Sequence, residues 1–195
     1  AGVEPDELDA ILLTHEHADH MKGVHQFTRK HAVRVYATRH TAMCVQEKAP
    51  EAPWAYFEKG QSFRIGDIVI TPFPTYHDAV DPVGFKFETE RSSLGFISDT
   101  GQAPGCIAEY LAMVDSLVES NYDPDMLAAT PRRPWPLKQR IASAHGHLSN
   151  EQACDLLRRI AHGALKNVVL AHLSAESNSP ALAESLMRDT LHDMG

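Results

Sequence analysis

The densest chemistry in this chain lies at Thr14–His20, THEHADH. Four groups able to hold a metal, His15, His17, Asp19 and His20, fall within six residues. Neutral imidazoles suit zinc and other first-row ions, and a carboxylate adds charge and hardness. The four follow directly on Leu8–Thr14, an apolar run of strand length. They are therefore expected in an extended loop at the C-terminal end of a strand. Alternation along that loop would send His15 and His17 one way and leave Asp19 and His20 for a second ion.

The remaining elements must position these groups. The pattern predicts helices at Met21–His31 and Arg39–Lys48, with a strand at Val33–Ala37 between them. A loop, Ala49–Gly60, leads to strands Ser62–Ile65 and Ile68–Phe73, split by the turn dipeptide Gly66-Asp67. Strands follow at Val83–Thr89, Leu94–Ser98 and Leu117–Glu119, with a helix around Ala108–Met113. Ser149, with Gln152 three residues on, forms a capping-box signature for a helix to Ala161. Asn167–Ala171 reads as a buried strand, and Pro180 opens a last helix to His192. Strands alternating with helices imply a layered α/β domain.

HxHxDH after an apolar strand resembles the signature of the metallo-β-lactamase fold hydrolases. Further matches come in order: Tyr76-His77-Asp78, Ser98-Asp99-Thr100-Gly101 and Ala171-His172-Leu173-Ser174. The resemblance implies an αββα four-layer sandwich over residues 1–195, lacking the family's N-terminal strands. It also implies two divalent ions, zinc or manganese. His15, His17 and His77 would hold one ion, Asp19, His20 and His172 the other, and Asp99 would bridge them. A hydroxide shared by the ions would be the nucleophile, with Asp19 orienting it or taking its proton.

Several segments resemble the YycJ (WalJ)-like branch more narrowly: HDAVDPVGF from His77, ESNYDPDML from Glu119, GHLSN from Gly146 and HLSAESNSP from His172. That branch implies phosphodiester cleavage, in particular a DNA exonuclease, and its site plan is similar to that of ribonuclease Z. Tyr122 departs from the branch, which commonly has His after Glu-Ser-Asn. A thioester hydrolase would show a TPGHT-like segment around His77, and this chain has none. A cyclic phosphodiesterase for small molecules, another hydrolase of this fold and a non-catalytic metal-binding module stay open as alternatives.

The substrate side rests on weaker signals. His147 precedes the helix N-terminus at Ser149, where free N–H groups favour anions. It is expected to hold a phosphate or protonate the leaving oxygen. Ser120 and Asn121, at a strand end, are expected either to contact the phosphate or to order the groups behind the metal ligands, and Ser149 is expected near the phosphate. The chain carries 26 acidic and 18 basic side chains, a net charge of −8, which argues against gripping nucleic acid by bulk charge. The one basic strip, Arg132, Arg133, Lys138 and Arg140 with Trp135 among them, is the expected path for a DNA backbone.

Cys44, Cys106 and Cys154 form no CxxC pair and are expected as buried free thiols of a reducing compartment. With no secretion signal and no apolar run long enough to span a bilayer, the expected location is the cytoplasm, without membrane contact. His25, His31, His40, His145, His162 and His192 are read as structural or solvated.

Overall fold

The computed structural model describes residues 2–163 and 165–195, with only the backbone at 116–118. The chain divides into two compact units, one formed by residues up to Pro74 with Ala79–Val83, the other by Thr75–Asp78 with Gly84–Gly195.

In the first unit, β1 (Ala10–Leu12), β2 (Arg34–Ala37) and β3 (Trp54–Tyr56) form a parallel sheet in that order. Parallel neighbours need crossovers. The first runs through two short helices, α1 (Ala18–Met21) and α2 (Val24–Thr28), and the second through α3 (Arg39–Gln46). The Thr38 side chain caps α3 by accepting the Thr41 N–H. Met21, Val24, Ala42 and Val45 from these helices share a core with Val35 and Ala37 of β2. An antiparallel hairpin follows, β4 (Phe63–Ile65) and β5 (Ile68–Pro74), with Ile65 opposite Ile68. Gly66 takes φ +58 at the first turn position, a conformation that side-chain-bearing residues resist.

The second unit holds β6 (Val83–Glu88) from Gly84 onward, β7 (Ser93–Phe96), α4 (Gly105–Leu111), β8 (Asp115–Glu119), α5 (Pro124–Ala129), α6 (Trp135–Ile141), α7 (Asn150–Ile160), β9 (Val168–Ala171) and α8 (Pro180–Asp193). β6 pairs antiparallel with β7, whereas β7, β8 and β9 run parallel. The C-terminal ends of β7, β8 and β9 therefore open on one edge of the sheet, the place where open α/β sheets present functional groups. The capping box expected at Ser149 and Gln152 starts α7, which buries Ala153, Leu156, Leu157 and Ile160.

Four expectations are corrected. The single helix expected at Met21–His31 is two helices, because Gly23 interrupts the run as the residue before α2. Helix α1 also begins earlier, at Ala18, so Asp19 and His20 ride on a helical turn and only the residues up to His17 are extended. The loop expected at Ala49–Gly60 contains β3, whose three residues are too few to show a period, and α6 carries Lys138 and Arg140 of the basic strip. Cys154 is buried as expected, but Cys44 and Cys106 are exposed; all three are free.

Candidate metal centre

In the first unit the ligand loop is held from behind by Thr14. Its hydroxyl lies 3.1 Å from His15 Nδ1 and 3.4 Å from His20 Nδ1. Contacts of this kind fix ring orientation and turn the opposite nitrogen, Nε2, toward a ligand. The His15 ring sits 4.7 Å from that of His17 and 4.1 Å from that of His20, centroid to centroid. His20 Nε2 is 3.7 Å from Asp19 Oδ2. The loop is also tied down by its own backbone. Val83 N–H donates to the Thr14 carbonyl at 3.1 Å, and Val80 N–H donates to Glu16 Oε1 at 2.8 Å.

In the second unit, strand ends deliver the groups. Asp99 follows β7, Glu119 ends β8 and His172 follows β9. His147 comes from the turn before α7. The donor atoms of Asp99, Glu119, His147 and His172 lie within 4.8 Å of one another. His147 Nδ1 is 2.7 Å from Glu119 Oε1 and 3.2 Å from Asp99 Oδ1. His172 Nδ1 is 3.1 Å from Asp99 Oδ1 and 3.4 Å from Glu119 Oε1. The second Glu119 oxygen accepts the Thr100 N–H at 2.8 Å, and Ser98 Oγ donates to Asp99 Oδ2 at 3.1 Å. His77 stands beside them, its Nδ1 2.9 Å from the Gly146 carbonyl and its ring 5.1 Å from that of His147.

Backbone strain is concentrated here. Asp99 has φ 52 and His172 has φ 59, left-handed values that cost a side-chain-bearing residue about 1–2 kcal/mol. Aspartate and histidine are among the side-chain-bearing residues that take such values most often. Close packing is concentrated here too. A Cβ added at Gly146 would lie 2.2 Å from the Arg140 and Ile141 carbonyl oxygens, and one at Gly101 would lie 2.3 Å from the Ser143 carbonyl oxygen. The loops carrying Asp99 and His147 therefore pack backbone to backbone, which only glycine permits.

Charge follows from this packing. Two carboxylates as close and deep as Asp99 and Glu119 require compensating positive charge. Burial opposes a charged imidazole at His147, but its bonds to Asp99 and Glu119 prevail and push its pKa up to about 9. At His172 the hydrogen bond to the Glu119 carboxylate outweighs burial and also raises the pKa. Burial dominates at His77 and lowers it, leaving the neutral imidazole a metal requires. The donor types fit divalent metal in both units: clustered imidazoles with Asp19 in the first, imidazoles with buried carboxylates in the second.

A polar network lies behind these groups. Asn121 Nδ2 donates to the His172 carbonyl at 2.7 Å. The Asn121 carbonyl accepts from Asn178 Nδ2 at 3.1 Å, and the Ser120 carbonyl accepts from the same amide at 2.9 Å. Asn178 and Asn150 pair amide to amide, at 2.8 and 3.0 Å, and Ser120 Oγ donates to Asn150 Oδ1 at 2.7 Å. Asn150, Asn178 and Ser120 are all buried.

These bonds occupy several residues expected on the substrate side. Ser120 is sealed in the network, Ser149 Oγ caps α7, and Asn121 bonds the His172 carbonyl. Along the basic strip, Arg133 is bound to Glu176 Oε2 and Ser174 Oγ, both at 3.1 Å, and Arg140 is bound to Asp78. Arg132 stays 81% exposed, 4.0 Å from Glu176 Oε1. Glu119, Thr14 and Asn178 were not singled out from sequence. Glu119 carried a signal, a carboxylate closing an apolar strand; Thr14 and Asn178 carried none.

A family model described as "Beta-lactamase superfamily domain" matches residues 2–173. The chain belongs to the beta-lactamase superfamily. Within the superfamily it falls with the WalJ and YycJ proteins. It is 36% identical over 194 residues to an exodeoxyribonuclease WalJ of Streptococcus pneumoniae, covering 96% of this chain and 72% of that protein. It is 32% identical over 199 residues to an exodeoxyribonuclease YycJ of Bacillus anthracis, covering 100% of this chain and 75% of that one. The superfamily fold is matched by the metallo-β-lactamase fold protein YhfI of Bacillus subtilis. The TM-score is 0.75 at 16% identity, covering 97% of this chain and 73% of YhfI. The α/β metallo-β-lactamase fold expected from the motifs is thus the fold observed. Among the described residues no helix is long and apolar enough to cross a membrane.

Proposed function

We propose that this protein is a metal-dependent phosphodiesterase that acts on DNA as an exonuclease. One observation carries the reading: a donor cluster of two buried carboxylates, Asp99 and Glu119, and two half-buried imidazoles, His147 and His172, in a chain 36% identical to an exodeoxyribonuclease over nearly its whole length.

The residues proposed to hold divalent metal are His15, His17, Asp19 and His20 of the first unit and His77, Asp99 and His172 of the second. Zinc and manganese both suit this donor set. When bound, such ions lower the pKa of water and neutralise charge on the phosphoryl oxygens. The protein's own groups supply the rest. His147 is held through Nδ1 by Glu119 and Asp99, which leaves Nε2–H to protonate the oxygen released as the P–O bond breaks. Asp19, largely exposed, takes the proton of the attacking water. Asn121 orients His172 through its carbonyl.

The test combines metal analysis with cleavage of end-labelled single- and double-stranded DNA in manganese or zinc. Cleavage that is lost with metal in Asp99→Ala supports the reading. A protein that binds metal yet cleaves neither DNA nor bis(p-nitrophenyl) phosphate overturns it.

A further inference from the structure

Beside the His172-holding segment the second unit has a cavity of about 260 Å³ that the proposed chemistry does not use. Tyr122, Leu127, Trp135, Lys138 and Gln139 line it. Tyr122 and Leu127 of this lining also belong to a small buried apolar cluster with Ile141, against which Leu137 packs. Trp135 is 68% exposed, an unusual position for so large an aromatic surface. Tyr122 directly follows Asn121, the residue bonded to the His172 carbonyl.

Charge decides what such a cavity can take. Lys138 Nζ donates to the Ala128 carbonyl at 2.6 Å, so its position is fixed while that bond neutralises none of its charge. In a chain of net charge −8, this sets one fixed cation, Lys138, on the wall of an aromatic, apolar pocket. A purely apolar peptide would have no use for the cation, and a free anion would have no use for the indole. A nucleotide satisfies both: a flat, weakly polar base for Trp135 and the apolar lining, and a phosphate for Lys138.

We infer that this cavity is a nucleobase subsite, in which a base of the single-stranded substrate stacks on Trp135 with Gln139 at its polar edge. The inference rests on the DNA reading above and adds where the strand is gripped. Stacking of this kind tolerates any base, because every base has a π-face.

The experiment is a substrate–protein double cycle. Wild type and Trp135→Ala are assayed on a single-stranded oligonucleotide and on the same strand carrying abasic sites. Trp135→Ala is expected to raise KM about tenfold on the normal strand, with kcat within about twofold. On the abasic strand the two proteins should share one KM, since there is no base left to stack. Trp135→Phe should recover part of the loss. Equal KM values for wild type and Trp135→Ala on the normal strand, or the same penalty on both strands, would overturn the subsite. If wild type cleaves no DNA, the nuclease reading has failed instead. The subsite is then judged by indole fluorescence in Trp54→Phe, where quenching by the normal strand but not the abasic one supports it and equal quenching refutes it.

Discussion

Glu119 and His147 are joined by a 2.7 Å bond at the end of a strand, with the carboxylate wholly buried. The same carboxylate accepts the Thr100 N–H, so it ties the loop carrying Asp99 to the proposed proton donor. A buried charge is retained only when such partners meet it from several sides.

Glu119→Gln keeps an acceptor for Thr100 but removes the charge that holds His147 protonated. It is expected to lower kcat on a phosphodiester by at least about tenfold. Glu119→Ala also leaves Thr100 N–H and His147 without their partner and should cost about 3 kcal/mol of stability. Steady-state kinetics and urea unfolding check the two effects. A Glu119→Gln enzyme as fast as wild type would remove the residue from the chemistry.

Gly146→Ala should be costly and Gly105→Ala harmless. The first would push a methyl to 2.2 Å from two carbonyl oxygens, whereas nothing lies within 4 Å of a Cβ at the second. Loss of about 1–3 kcal/mol is expected at Gly146. At Gly105, the first residue of α4, a gain of about 0.4–1 kcal/mol is expected from the less flexible unfolded chain. Thermal unfolding of the two variants side by side is the check.

Asn178→Asp tests the amide network. The substitution keeps the shape but turns an anion toward the carbonyl oxygens of Ser120 and Asn121 and toward Asn150 Oδ1. Stability should fall by about 2–3 kcal/mol. Because Asn121 holds the His172 backbone, metal affinity should fall as well, measured by competition with a chromophoric chelator. Lost stability with unchanged metal affinity would show the network to be scaffolding alone.

The two neighbouring arginines should separate. Arg133 is bound to Glu176 and Ser174, whereas Arg132 projects into solvent. Arg132→Ala should reduce the salt slope of DNA binding by about 1 and leave stability unchanged. Arg133→Ala should act first on stability, through the released Glu176. Fluorescence anisotropy over a salt series and thermal unfolding distinguish them, and an unchanged slope in Arg132→Ala would take that residue off the DNA path.

Much of this protein was legible in its sequence because metal chemistry demands particular side chains at particular chain positions. THEHADH after an apolar run, and His77, Asp99 and His172 near strand ends, are local patterns that survive without any knowledge of packing. The capping box at Ser149 and the turn at Gly66-Asp67 are legible for the same reason: each depends on bonds or backbone angles within a few residues. What tertiary structure decided depends on partners distant in the chain. Glu119 becomes important only because parallel strands bring β7, β8 and β9 to one edge, 28 residues separating it from His147. Ser120 looked like a phosphate contact and is instead sealed against Asn150 and Asn178 by bonds spanning 30 and 58 residues. Arg133 looked free for DNA until Glu176, 43 residues away, was seen to hold it. A residue's type announces what it can do, and its neighbours through space determine whether that capacity is already taken.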